Sequence, residues 1–116
     1  MQSRDLDMRR SLAVCLLLFA CGTKPPEAER VRKTVASWDA SLALAASAWA
    51  RGDLPKHFVR NAAEAATEEL SKEATGHDAA RALALAHELR EAAEHDDRAA
   101  ASRLASALDA QAKALQ

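Results

Sequence analysis

The apolar side chains of residues 27–116 recur at the three- and four-residue spacing of helices that pack along one side. No part of this region alternates with the period of two that is typical of a β-strand. The clearest stripe is in the first helical stretch, at Val31, Val35, Trp38, Leu42, Ala45 and Trp49. The last stretch has a similar stripe at Ala101, Leu104, Leu108, Gln111 and Leu115. The pattern predicts an all-α domain.

Turn-forming residues divide this domain into four helices. Gly52 suits the residue after a helix end, and Asp53 and Asp78 suit caps at helix starts. His95, Asp96 and Asp97 suit a tight turn. The helices are therefore expected at residues 27–51, 53–75, 78–94 and from 98 onward. Connections this short favour antiparallel neighbours, so we expect two helical hairpins in one small antiparallel bundle.

The core of this bundle is expected to be thin. Aromatic residues make up 3% of the chain, and alanine dominates the helices. A second face of the first helix, with Ala36, Ala40, Ala43 and Ser47, is small enough for another helix to approach closely. We therefore expect a marginally stable monomer, or one that is stabilised by a partner.

A different pattern precedes the helices. Arg9 and Arg10 are followed by an uncharged, mostly apolar run at residues 11–20, and Cys21 comes next. A membrane-crossing helix needs about 20 apolar residues, and this run is half as long. A short apolar run behind a basic start is typical of an export signal.

The stretch Leu18-Phe19-Ala20-Cys21 resembles the lipobox of bacterial lipoprotein precursors. The resemblance implies cleavage between Ala20 and Cys21, and acylation of Cys21 with fatty acids such as palmitate. Residues 1–20 would then be a removed signal, 21–26 a lipidated tether and 27–116 the bundle. The alternatives are an ordinary secretory signal with a chance cysteine and a retained membrane anchor. Translation from Met1 or Met8 would yield the same mature chain.

The same resemblance implies a location in the cell envelope. Gly22 follows the cysteine, in place of the Asp that is associated with inner-membrane retention in enteric bacteria. In a Gram-negative host the protein would be sent to the outer membrane and face the periplasm. In a host with one membrane, the domain would face outside.

Candidate ligands lie along the third helix. His87, Glu91 and His95 follow one another at intervals of four, so they share a side of the helix. Such side chains can bind transition metals, although the first and last are about 12 Å apart along the axis. A solvated polar face explains them more simply, and a metal- or small-ligand-binding bundle is the alternative.

The sequence carries no recognisable catalytic set. Cys15 leaves with the signal, Cys21 is the lipidation residue, and the three glycines are scattered. We expect a non-enzymatic protein without a cofactor. The net charge of −1 also provides no basic face for nucleic acid.

The aromatic residues of the bundle all belong to the first hairpin. The stripe places Trp38 in the core, whereas Trp49 and Phe58 flank the turn that contains Leu54. Aromatic anchors dominate interface energetics, so Trp49, Leu54 and Phe58 are the predicted partner-binding residues, with Trp49 partly exposed. The predicted function is a membrane-anchored interaction or structural module. Its partner would be another envelope protein or a second copy of the chain.

The lipobox resemblance leads to a first prediction. Cys21→Ser should block lipidation and leave uncleaved precursor, because signal removal in this class depends on the modified cysteine. The test is to label cells with a fatty-acid analogue, since the several chains of a mature lipoprotein anchor stably where one does so only marginally. Equal labelling of Cys21→Ser and wild-type protein would show that the lipobox interpretation is wrong.

Overall fold

The computed structural model describes residues 24–72 and 76–116, and all regular structure in these ranges is helical. The four helices are α1 (Lys24–Ala50), α2 (Lys56–Lys72), α3 (His77–Glu94) and α4 (Arg98–Ala114). The prediction of a small all-α bundle is confirmed. The predicted signal and cleavage position lie outside the described residues.

Residues 31–116 form the compact unit that contains the bundle, and residues 24–30 of α1 belong to a separate unit. None of the described helices has an apolar stretch sufficient to cross a bilayer. α2 packs on α3 and α3 packs on α4. α1 contributes Val35, Leu42 and Trp49 to the same hydrophobic core.

Contacts at the helix ends give the chain direction within the bundle. Lys56 at the start of α2 pairs with Asp96, just after α3, at 3.8 Å. Gln111 near the end of α4 donates a hydrogen bond to the carbonyl oxygen of Asp78, in the first turn of α3. α2 and α3 are therefore antiparallel, and so are α3 and α4. The expected antiparallel arrangement holds for both pairs.

α1 and α3 end in the same way. After α1, the Gly52 amide donates to the Trp49 carbonyl at 2.9 Å and the Asp53 amide to the Ala48 carbonyl at 2.8 Å. This pair of bonds is the Schellman motif, and its left-handed residue is Gly52, with φ of 83°. α3 repeats the pattern with Asp96 at φ of 57°. Aspartate tolerates this conformation better than most residues with a side chain.

The structure corrects two of the predicted helix starts. α2 begins at Lys56, after Pro55, so Asp53 lies too far ahead to cap it and instead pairs with Arg51 at 3.2 Å. α3 begins at His77, which places Asp78 inside its first turn. Gly76 occupies the cap position of α3 and supplies no side-chain hydrogen bond.

The start of α4 is capped by a side chain. Asp97 is its N-cap, and the Asp97 carboxylate accepts a hydrogen bond from the Ala100 amide at 3.0 Å. This bond satisfies one of the amides that a helix start leaves without a partner.

The core of the described residues consists mostly of alanine. Alanines from all four helices are buried, among them Ala46, Ala63, Ala82 and Ala101. Small side chains let helix axes approach closely, toward the lower end of the usual 8–10 Å range. The larger apolar side chains that are fully buried are Trp49, Leu42, Leu70, Leu89, Leu108, Val35 and Val59.

The two turn aspartates provide a matched stability test. Asp97→Ala should lower the free energy of unfolding by about 1 kcal/mol, because the Ala100 amide loses its capping acceptor. Asp53→Ala should change it by less than about 0.5 kcal/mol, since an exposed pair such as Arg51–Asp53 contributes little. Urea unfolding of both variants measures the difference. Equal effects would contradict the cap assignment.

Candidate interaction surface

The predicted partner-binding residues at the α1–α2 turn differ in their exposure. Phe58 is 53% exposed, Leu54 is half-buried and Trp49 is 1% exposed. The prediction that Trp49 is partly exposed is wrong. Trp49 continues the buried stripe of α1 and has the largest of the fully buried side chains in the described residues. A partner could therefore reach Phe58 at this end of the bundle, but not the Trp49 ring.

The two tryptophans exchange the roles that the sequence suggested. The buried stripe of α1 runs through Val35, Asp39, Leu42, Ala46 and Trp49. Trp38 lies beside this stripe, is half-buried, and packs against the rim of the core. The expectation that Trp38 belongs to the core is met only at its edge.

The candidate metal ligands line a groove between α3 and α4 of about 420 Å³. Here the His95 Nε2 atom lies 3.3 Å from the Glu91 Oε2 atom, and both side chains are mostly exposed. His87 lines the same groove. Within residues 24–72 and 76–116, no three His, Cys, Asp or Glu side chains are close enough together to hold a metal ion. The structure therefore does not assemble the alternative metal site there.

The outer side of α1 has an unusual lack of charge. Between Lys33 and Arg51 the only charged residue is Asp39, and its side chain is buried. The exposed residues of this part of α1 are Ser37, Ser41 and Leu44, and Leu44 is 74% exposed. Helices α2, α3 and α4 instead carry exposed charges, such as Glu64, Arg81 and Arg103.

A shallow groove of about 460 Å³ connects this uncharged side of α1 to α4. Its single charged lining residue, Asp109, forms an ion pair with Lys113 at 3.0 Å. We call this surface the α1–α4 face. Its lining residues are Ala40, Ala43, Leu44 and Ser47 from α1 and Ser102, Ala105, Ser106 and Asp109 from α4.

The inner side of α1 buries a carboxyl group. Asp39 is 0% exposed, and neither of its carboxylate oxygens has a hydrogen-bond partner among the described residues. Burial raises the pKa of Asp39 from 3.8 to about 7, against the opposing attraction of Arg81 and with a smaller contribution from Asp78. The carboxyl group is therefore uncharged in a large fraction of molecules at neutral pH.

Within residues 24–72 and 76–116, Gln111 is the other buried polar side chain, and it is 7% exposed. The Gln111 Nε2 group donates to the Asp78 carbonyl oxygen at 2.9 Å, while its Oε1 atom accepts no hydrogen bond from the described residues. We call Asp39, Gln111 and the first turn of α3 around Asp78 the Asp39 junction. The predicted inner stripe of α4 included Gln111, whereas the burial of Asp39 was not predicted. The signal for it is the residue spacing of 4, 3, 4 and 3 along α1 from Val35 through Asp39 to Trp49.

Comparisons of the chain with protein-family models, with curated proteins and with solved structures found no match.

The burial of Trp49 leads to a stability prediction. Trp49→Ala should lower the free energy of unfolding by about 3–5 kcal/mol, because it removes the largest side chain of a thin core. Phe58→Ala, a large-to-small change at an exposed ring, should lower it by less than about 1 kcal/mol. Chemical denaturation of both variants beside Leu108→Ala, a fully buried control, tests this. A Trp49→Ala protein as stable as the Phe58→Ala protein would contradict the core assignment.

Proposed function

We propose that this chain is an envelope lipoprotein whose helical bundle is a non-catalytic docking module. The lipobox pattern at Leu18–Cys21 supports a membrane anchor on Cys21. The α1–α4 face supports docking, and it is the observation on which the proposal depends.

Residues 34–50 of α1 expose no charged side chain, which supports docking. Residues 34–50 of a helix extend over about 25 Å. Depletion of charged residues is the compositional mark of the centre of a protein interface. A single exposed leucine is ordinary on a protein surface. Leu44 is informative because uncharged small residues surround it on both helices.

The residue composition of the α1–α4 face also indicates which kind of partner it would bind. Alanine and serine let another helix backbone come close, and Leu44 provides an apolar side chain to be covered. A charged group of the partner that was buried here would have no counter-charge and would lose its hydration. The preferred partner is therefore an uncharged helix face of a second envelope protein. Arg51 and the Asp109–Lys113 pair would lie at the edge of the contact.

The small size of the α1–α4 face would make docking depend on the membrane anchor. Two helices of about 10 Å width over about 25 Å offer roughly 250–500 Å². A standard interface buries about 800 Å² on each partner, so this contact alone would be weak. Lipid anchoring holds both proteins at one membrane and raises their effective concentration. Attachment and docking are therefore parts of one function in this proposal.

The test is site-specific photocrosslinking in intact cells, with the photoreactive residue at Ser41. Leu44→Glu should reduce the adduct by more than about tenfold, because it buries a carboxylate in the contact. Phe58→Glu is the matched control, since it places the same charge on the other large exposed hydrophobic residue. It should leave the adduct unchanged.

Each outcome has a distinct meaning. An adduct that survives Leu44→Glu contradicts docking at the α1–α4 face. An adduct lost only in Phe58→Glu would move the docking surface to the α1–α2 turn. An adduct of twice the mass of this chain would identify the partner as a second copy.

A further inference from the structure

The Asp39 junction contains polar groups from three helices, and some of their atoms have no hydrogen-bond partner in the described residues. Asp39 comes from α1, Gln111 from α4 and Asp78 from α3. Gln111 connects α4 to α3 by a hydrogen bond, whereas the carboxylate of Asp39 has no hydrogen bond to either helix in the described residues. α1 is therefore the helix whose attachment depends on the charge state of the junction.

Two charged side chains act on Asp39, and both belong to α3. Arg81 attracts the carboxylate, while Asp78 repels it. From α4 the junction receives the uncharged amide of Gln111. The buried side chains that α2 contributes to the core are all apolar: Val59, Ala63, Ala66 and Leu70. Arg81 is exposed, so water weakens its attraction and leaves burial as the dominant influence.

We propose that Asp39 makes the attachment of α1 to the bundle dependent on pH, so that ionisation of its carboxyl group releases α1 from α3 and α4. The uncharged carboxyl group can remain buried at a modest cost, because it carries no charge that needs hydration. The ionised group has acceptors only and needs donors or water. Fully buried, it can obtain them only when α1 moves away.

The direction of the pH dependence of α1 attachment follows from the raised pKa of Asp39. The attached state holds the Asp39 proton more tightly than the released state, so attachment is strongest below about pH 4. The ratio of attached to released α1 then falls by about tenfold per pH unit and levels off above about pH 7. The full change is roughly 10³-fold.

The consequence for docking rests on the proposed function. The α1–α4 face exists only while α1 and α4 lie side by side. Release of α1 would separate Leu44, Ala40 and Ser47 from the serines of α4. Mild acidity would therefore favour docking. The release itself is a property of the chain alone and can be tested without a partner.

The experiment is amide hydrogen exchange on the whole chain, purified in detergent, at pH 5, 6, 7 and 8. After correction for intrinsic exchange, protection of the α1 amides around Leu42 and Ala46 should fall by about 50-fold between pH 5 and pH 7. It should fall by less than about twofold between pH 7 and pH 8. Protection of the α3 amides around Leu89 should change far less.

Three variants separate Asp39 from other causes. Asp39→Asn, which cannot ionise, should remove the pH dependence and keep α1 protected at pH 8. Asp39→Ala tests the same point without a buried amide, in case the asparagine variant folds poorly. Glu69→Gln removes an exposed carboxylate of α2, outside the α1–α4 face, and should retain the wild-type profile.

Any of three results would overturn the proposal. The first is a pH-independent profile of the wild-type protein, and the second is the same pH dependence in both Asp39 variants. The third is a parallel loss of protection in α1 and α3, because the whole bundle would then open and α1 would have no separate release. None of these results depends on Ser41 crosslinking, so this proposal and the docking function can fail independently.

Discussion

Close packing of alanine is the constraint on which the rest of this structure depends. An alanine side chain buries one methyl group, so four helices can gain enough contact only by approaching closely along much of their length. Few large side chains fit between helices at that distance. Trp49, Leu42 and Leu108 therefore contribute a large share of the buried apolar surface. In such a core, the environment of each helix is set by a small number of individual residues.

That constraint explains why Asp39 is so sensitive to its surroundings. A core with few side-chain donors offers little to a buried carboxyl group, and in the described residues neither Asp39 oxygen has a hydrogen bond. Gln111, the other buried polar side chain of the described residues, already uses its amide nitrogen on the Asp78 carbonyl. Protonation is then the least costly way to keep Asp39 inside, and the pKa of its carboxyl group rises to about 7.

The sequence predicted the helices and the inner face of α4 correctly, because leucine and turn residues carry those signals locally. The Gly52 helix end and the buried Leu104–Leu108 stripe are examples. Cap positions were less predictable, because Asp53, Asp78 and Asp97 look alike in sequence. What makes Asp97 the cap is the position of its carboxylate beside the Ala100 amide in the folded chain. The inner face of α1 was misplaced by a small rotation. A stripe through Trp38 is more apolar than the true stripe through Asp39, and only tertiary packing decides between them.

The same rotation explains why the candidate surface could not be found from residue types alone. With Asp39 turned inward, residues 34–50 of α1 have no exposed charge, and their outer side adjoins the groove to α4. The buried carboxyl group and this uncharged surface are thus two consequences of one helix orientation. By linkage, a partner that binds only when α1 is attached must also stabilise the protonated form of Asp39. Docking and proton binding would then strengthen one another through the attachment of α1.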